Sequence, residues 1–240
     1  MAETGTPPAS AAELDRVAAR ALALCAGAQV IGLGSGRAAT AFIRALGAEV
    51  KAGRSVRGVP TSEATARLAR ELGIPLAGLD EVTPEVTVDG ADEVDPRLDL
   101  IKGYGGALVR ERIVAVASER QIILVGPEKL VPVLGGHHRL PVEIVPFALP
   151  LASRRLAPIA GAPTLRQVDG RPFITDNGNV ILDCAVGTIA DPERLEMAIH
   201  TVPGVVGTGL FVGIAHTVLV GEPSGVKELR RRDVPGDKRA

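Results

Sequence analysis

The sequence predicts an α/β fold: a doubly wound, mostly parallel sheet with a smaller inserted α+β domain. Three observations predict it. Short apolar runs alternate with segments of helical periodicity through the first half of the chain, the pattern of β-α units whose sheet is covered on both faces. Glycine-bearing turns separate them, and 28 Gly and 18 Pro in 240 residues supply many tight turns and helix boundaries. After Lys129 the texture changes to hairpin-like strands, and apolar runs return near the end.

Residues 1–10 read as a flexible tail. Glu13–Ala26 places Leu14, Val17, Ala18, Ala21, Leu22 and Cys25 at helical spacing, so an amphipathic helix is expected, stopped at Gly27. Gln29–Gly32 is a short strand that Gly32-Leu-Gly34-Ser35-Gly36 turns into a second helix, Arg37–Val50. Ser55–Pro60 reads as a strand and Ser62–Leu72 as a helix stopped at Gly73. Ile74–Leu79 and Glu85–Val88 are strand candidates, Ala107–Glu119 is helical, and Gln121–Val125 is another strand. Leu140–Val145 is a strand continuing to Pro146, and a helix lies within Ala148–Ile159. Thr164–Cys184 reads as hairpin strands, with Asp176-Asn-Gly-Asn179 as a structural turn beside them. Asp191–His200 is helical, with Pro192 in its first turn. Val206–Phe211 and Thr217–Val220 are expected to return the chain to the large sheet. This division assigns 11–130 and 207–229 to a Rossmann-like catalytic domain and 131–206 to the small α+β domain. It leaves 1–10 and 230–240 as tails, the charged stretch from 226 reading as solvated.

Composition excludes several functions. With 27 Lys plus Arg against 28 Asp plus Glu, there is no general electrostatic case for nucleic acid or an acidic membrane surface. One Tyr, four Phe and no Trp argue against an aromatic stacking platform. Cys25 and Cys184 lie in apolar stretches and read as buried free thiols, too few for a disulfide framework or a cysteine zinc cluster. His137 and His138 sit in a Gly-Gly-His-His-Arg turn expected to face solvent, and His200 near a helix end suits that end's dipole. No histidines have zinc-pair spacing. No signal peptide and no 18-residue apolar run is visible, so a cytoplasmic protein without a membrane partner is expected.

The candidate chemistry lies in three blocks. Gly32-x-Gly34-x-Gly36 brings backbone N–H groups toward an anion, and the following helix adds its positive end. Arg37 breaks the dinucleotide fingerprint and no Walker lysine follows, so the favoured occupant is a small phosphorylated or hydroxylated ligand, with a purely structural turn as the alternative. Arg37 offers a forked phosphate contact at the loop mouth. The second block delivers Asp89 and Asp92 to the carboxyl end of a strand, where ligands bind in this fold. Such a pair can orient sugar hydroxyls and help move protons, although a solvated turn has the same composition. No third ligand supports a metal there. In the third block, Lys102 precedes Gly103, Gly105 and Gly106, which let the backbone turn closely around a ligand, and a helix then fixes Glu111 in its early turns. A lysine and a glutamate around one centre supply charge stabilisation and proton abstraction; an ordinary helix salt bridge from Glu111 is the plain alternative.

VDGADEVD, IKGYGGALVRERIVA and TDNGNVILD, in this order, with IGLGSG, LPVEIVP, TVPGVVGTGLF and GEPSGVKEL, resemble the ribose-5-phosphate isomerase A family. The resemblance runs from about residue 13 to 229. It implies an isomerase of the pentose phosphate pathway, independent of metal and cofactor, that interconverts D-ribose 5-phosphate and D-ribulose 5-phosphate. It also implies a phosphorylated pentose as partner and a homodimer or homotetramer. By motif position, Glu111 is implied as general base, with Asp89, Asp92 and Lys102 as the other active-site polar groups and Lys129 as an additional substrate-site lysine. The expected substrate contacts are Gly34, Ser35, Gly36, Arg37, Thr61, Ser62, Gly103, Tyr104, Gly105, Gly106 and Lys129. Glu111 would take the C2 proton of the opened aldose and return it to C1 through an enediolate.

Four departures cluster at the phosphate end and the sugar loop. Arg37-Ala38 replaces small hydroxyl residues, and Asp15 stands where the family has a phosphate-contacting lysine, with Arg16 next to it. Pro60-Thr61-Ser62-Glu63 represents a serine-rich loop, and Tyr104 replaces a glycine. A related sugar or sugar-phosphate isomerase with a shifted substrate therefore stands as the alternative, followed by a non-catalytic sugar-phosphate sensor.

Overall fold

Ser10 opens the first helix. Its hydroxyl accepts the Glu13 N–H while the Glu13 carboxylate accepts the Ser10 N–H, a capping box ahead of α1 (Ala11–Leu24). In this computed structural model, which describes residues 8–137 and 139–231, β1 (Val30–Leu33) leads to α2 (Arg37–Lys51) and β2 (Arg57–Pro60) to α3 (Glu63–Glu71). Next come β3 (Val86–Gly90), β4 (Glu93–Val94), β5 (Leu100–Ile101), α4 (Leu108–Ala117) and β6 (Arg120–Val125). The second half contains β7 (Leu140–Ile144), α5 (Leu149–Ala160), β8 (Pro163–Leu165), β9 (Gln167–Val168), β10 (Arg171–Pro172) and β11 (Val180–Cys184). It closes with α6 (Pro192–His200), β12 (Val205–Thr208), β13 (Leu210–Phe211), β14 (Thr217–Glu222) and β15 (Gly225–Arg230).

The chain divides into two units, and the doubly wound sheet belongs to the larger, made of described residues 8–91, 110–130 and 214–231. Its strand order is β15-β14-β6-β3-β1-β2, parallel throughout except for β15. The strands are short and apolar because both faces are buried: β1 is buried along its whole length. Val17, Leu22, Ile31, Leu33, Phe42, Leu46, Val88 and Leu124 share one core, and each such side chain contributes about 1.5–3 kcal/mol on burial. Since β1 lies between β2 and β3, the connections leave β1 and β3 in opposite directions, and the loops at their carboxyl ends flank the crevice that binds ligands in this fold.

The smaller unit comprises residues 92–109 and 131–213. Its antiparallel sheet, β12-β7-β11-β8, shares a core with α5 and α6 through Val142, Ile144, Leu156, Leu182 and Ile199. A second sheet, β13-β5-β4, carries Lys102 at the end of its central strand. The β9–β10 ribbon closes on Asp169-Gly170, where φ values of 51° and 74° make the turn suited to a twisted hairpin.

Several expectations need correction. Val206–Phe211 does not return to the large sheet: β12 pairs with β7 and β13 with β5, so only the chain from Thr217 onward rejoins it. Residues 92–109 belong to the smaller unit and not, as expected, to the Rossmann-like domain over 11–130; the two-residue strands β4 and β5 are too short to show this as periodicity. Ile74–Leu79 makes one bridge, Gly58 to Leu76, and no strand. The charged end segment is structured to Arg231: β15 pairs along β14, Glu228 joins Arg20 and Arg230, and Arg231 is buried, donating to the Ala215 carbonyl. Charged side chains suit such an edge strand. At the other end Ala9 is buried and Ser10 caps α1, so the expected tail does not extend to residue 10. The rest of the tails, 1–7 and 232–240, and the expectation for His138 lie outside the described residues. No helix among the described residues is long and apolar enough to cross a membrane.

Cys25 and Cys184 are both buried and free. Burial pushes their thiols up to about 11 and about 12, so almost no thiolate exists at a pH of about 8. A thiol-specific reagent under those conditions is expected to find no fast-reacting cysteine in the native protein and both cysteines after denaturation. Rapid labelling of the native protein would contradict the burial of these thiols.

Candidate active site

In the larger unit the site is built at the carboxyl edge of the parallel strands. Asp89, at the end of β3, is fully buried, and its Oδ1 accepts the N–H groups of Ser35 at 3.0 Å and Gly90 at 2.7 Å. A buried carboxylate is tolerated when its oxygens are hydrogen-bonded, so these donors fix the loop after β1. Gly34 lies so close that a Cβ there would fall 2.3 Å from the Asp89 carboxyl, and the Gly34 N–H bonds the Val88 carbonyl at 2.9 Å. The glycine loop is thus shaped by the neighbouring strand. Gly36 follows at φ +90°, with open space where a Cβ would stand, and α2 begins with no side chain capping it. Its first N–H groups suit an anion.

Ser35 also carries the hydroxyl side of the loop. Its Oγ lies 2.9 Å from Thr61 Oγ1, 2.8 Å from Ser62 Oγ and 3.3 Å from Thr65 Oγ1. The structure therefore brings Ser35, Thr61 and Ser62 together. Thr65, which the sequence reading missed, completes the cluster and donates to the Gly34 carbonyl at 2.9 Å. Ser62 is simultaneously the cap of α3, accepting the Thr65 N–H at 3.1 Å. A threonine three residues after a serine at a helix start was the available signal.

Arg37 is exposed, and one of its guanidinium nitrogens donates to the Ala9 carbonyl at 3.1 Å. Arg16 is engaged at the Glu222 carbonyl, 2.7 Å away, while Asp15 is exposed. Lys129 ends a short 3-10 turn, Pro127–Lys129, that follows the carboxyl end of β6, beside β3 in the sheet. Glu111 lies in the first turn of α4 and is 4% exposed. Next to it, Arg110 meets Glu63 of α3 at 2.9 Å and holds the Glu63 carboxyl below its usual range.

In the smaller unit Asp92 and Lys102 stand at one end of the β4–β5 pair. The Asp92 N–H bonds the Ile101 carbonyl at 2.8 Å, and the Asp92 carboxylate accepts the Tyr104 N–H at 3.0 Å. Lys102 is 2% exposed, its N–H donates to the Gly209 carbonyl at 2.8 Å, and its Nζ lies 5.5 Å from the centre of the Phe211 ring. The glycine run turns at Gly103, φ +108°, and Gly106, φ +83°, where the Gly106 N–H closes on the Gly103 carbonyl at 3.0 Å. Tyr104 and Gly105 form the exposed tip.

Neighbouring acidic groups have structural work. Glu93 accepts the N–H groups of Gly135 and His137, and Glu143 accepts the side chains of Thr175, Asn177 and Asn179. The Thr175–Asn179 segment is thereby a braced turn. His216 Nδ1 accepts the Gln121 N–H at 3.1 Å. No group of three or more His, Cys, Asp or Glu among the described residues is arranged to hold a metal ion.

The family model described as ribose 5-phosphate isomerase A (phosphoriboisomerase A) matches residues 57–225. The chain belongs to this family. The ribose-5-phosphate isomerase A of Roseiflexus castenholzii is 50% identical over 222 residues, covering 91% of this chain and 95% of that protein. That of Parvibaculum lavamentivorans is 50% identical over 217 residues, covering 87% and 93%. Among solved structures, a D-ribose-5-phosphate isomerase in complex with phospho-erythronic acid superposes with a TM-score of 0.88 at 41% identity, covering 93% of this chain and all of that one. The Methanocaldococcus jannaschii ribose 5-phosphate isomerase A gives a TM-score of 0.87 at 40% identity, covering 91% and 98%.

Gly34→Ala tests the close approach at Asp89. The added methyl must displace the Asp89 carboxylate or the loop, and overpacking of this kind costs about 1–3 kcal/mol. A lowered thermal midpoint is expected, together with a larger loss of activity than the same substitution causes at Gly27, where a Cβ meets nothing within 4 Å. Equal behaviour of the two variants would contradict the packing.

Proposed function

We propose that this chain interconverts ribose 5-phosphate and ribulose 5-phosphate through an enediolate, with Glu111 as general base and Asp89, Asp92 and Lys102 assisting. The observation that carries the reading is Glu111 itself, a buried carboxylate on the first turn of a helix in a chain of this family. A rigid helix holds the carboxylate in one place, and shelter from water preserves the proton it carries between two carbons.

Once the sugar ring is open, Glu111 takes the C2 proton, and the electrons of that C–H bond form the C1–C2 double bond as charge moves to O1. The protonated Glu111 then delivers the proton to C1 while the C2 hydroxyl loses its own proton and becomes the ketone. The Lys102 ammonium stabilises the oxygen charge, and the aspartates orient and relay the hydroxyl protons. The phosphate end is assigned to the 34–37 loop, with the uncapped start of α2 and the Ser35, Thr61 and Ser62 hydroxyls supporting it, and Lys129 as a further cation. The complex of a 41% identical relative with phospho-erythronic acid supports a phosphorylated sugar chain in the site. The reading calls for no cofactor and no metal. It extends to a cytoplasmic homodimer or homotetramer; Phe147, 97% exposed, with the exposed Val145 and Val206, supports an association surface on the smaller unit.

Turnover of chelator-treated protein with ribose 5-phosphate, following ribulose 5-phosphate directly, tests the reading. Activity is expected to survive the chelator and to fall by about 10²–10⁴-fold in Glu111→Gln. Folded wild-type protein that does not turn over ribose 5-phosphate would overturn the substrate: turnover of another aldose would mark a shifted isomerase, and binding alone a sensor. Unchanged activity in Glu111→Gln would overturn the base.

A further inference from the structure

We infer that Arg166 is a positioning residue for the reaction, a clamp that sets the peptide planes of the 102–106 loop; this rests on the reading of that loop as substrate-binding. Arg166 Nη1 donates to the carbonyls of both Gly103, at 2.7 Å, and Tyr104, at 3.1 Å. Its other edge forms a fork with Asp183: Nε to Oδ2 at 2.9 Å and Nη2 to Oδ1 at 2.5 Å. The guanidinium also lies 5.6 Å from the centre of the Tyr104 ring. Both members of the fork are largely buried, at 12% and 18% side-chain exposure.

The consequence follows from peptide geometry. In a trans peptide the C=O and N–H point in opposite directions. Drawing the Gly103 carbonyl to Arg166 turns the Tyr104 N–H the other way, onto the Asp92 carboxylate at 3.0 Å. Drawing the Tyr104 carbonyl to the same nitrogen turns the Gly105 N–H away from Arg166, at an exposed glycine with no side chain to cover it. One guanidinium thereby fixes a carboxylate, Asp92, and a backbone donor, Gly105 N–H, in the loop that begins at Lys102. Glycines at positive φ give this loop many alternative conformations, so an external brace is required. Asp183 supplies its rigidity, because it lies on β11, paired on both sides by β7 and β8. A forked arginine does this where a lysine cannot, since one planar group must reach two carbonyls and a carboxylate at once.

The protein reports on the clamp directly. It has one tyrosine and no tryptophan, so tyrosine emission comes from Tyr104 alone. In Arg166→Ala, with far-ultraviolet circular dichroism unchanged, kcat/KM for ribose 5-phosphate is expected to fall about 10- to 100-fold, mostly in kcat, as donors aimed at developing charge lose their setting. Acrylamide quenching of Tyr104 is expected to rise, and millimolar guanidinium, but not equal sodium chloride, to restore part of the rate. Arg166→Lys is expected to recover less than half of the loss. Should Arg166→Ala fail to fold, Asp183→Asn breaks the fork with little change of shape and is expected to lower kcat in the same direction. Kinetic constants within about twofold of wild type in the folded variant, or unchanged Tyr104 quenching, would overturn the clamp. A failure of the Glu111 assignment is separately visible, because Glu111→Gln would then remain active while Arg166→Ala still altered the Tyr104 emission.

Discussion

A carboxylate with no exposure, at the point where the parallel sheet reverses its winding, organises the larger unit. Asp89 is shielded from water there, and its Oδ1 takes hydrogen bonds from the backbone of its own strand end and of the loop after β1. The rest follows from that need. Gly34 must be glycine because the carboxyl group occupies the space of its side chain. Ser35 is held with its N–H on Asp89, which leaves its hydroxyl among those of Thr61, Ser62 and Thr65. Through that cluster the starts of α2 and α3 are tied together, and the Arg110–Glu63 pair ties α3 to the turn of α4 that carries Glu111. One buried carboxylate therefore orders the loop after β1 and, through these contacts, is linked to the turn of α4 that carries the candidate base.

The smaller unit uses the same device repeatedly. Asp92 accepts the Tyr104 N–H, Glu93 gathers two N–H groups from the loop ahead of β7, and Glu143 gathers three side chains of the Thr175–Asn179 turn. Asp183 does so at one remove, by orienting the arginine that holds two loop carbonyls. Each carboxylate offers several acceptor sites, so it can define an irregular loop that no ladder of backbone hydrogen bonds would define. Two of the braced segments are also proposed to hold the substrate, the loop of Asp89 at its phosphate and the loop of Asp92 at its sugar chain.

Much of this architecture was legible in the sequence, for reasons that can be named. The helices around the large sheet carry long, regular apolar stripes, and the buried strands between them are bounded by glycine, so α1, α2, α3, β1, β2 and β3 could be read with small errors at their ends. Strands of two residues have no period to read, which hid β4, β5 and β13 and with them the assignment of 92–109 and 207–213 to the smaller unit. The strand β15 was hidden by its charges, which suit an edge and resemble a tail. Among the candidate site residues, Asp89, Asp92, Lys102 and Glu111 were legible because glycine-rich turns lie beside them and their blocks resemble the family's motifs. Thr65 and Arg166 did not: one looks like any helix residue, and the other acts on backbone carbonyls some 62 residues away, a relation that leaves no pattern in neighbouring letters.

The Asp89-ordered edge, on this reading, holds the phosphate at the 34–37 loop and presents C2 of the sugar to residue 111. A crystal structure of Glu111→Gln with ribose 5-phosphate tests this most directly. The phosphate is predicted to lie against the backbone of Ser35, Gly36 and Arg37, with C2 of the open-chain sugar next to the substituted side chain at position 111. A phosphate bound away from that loop, or a sugar chain whose C2 lies beyond reach of residue 111, would contradict it.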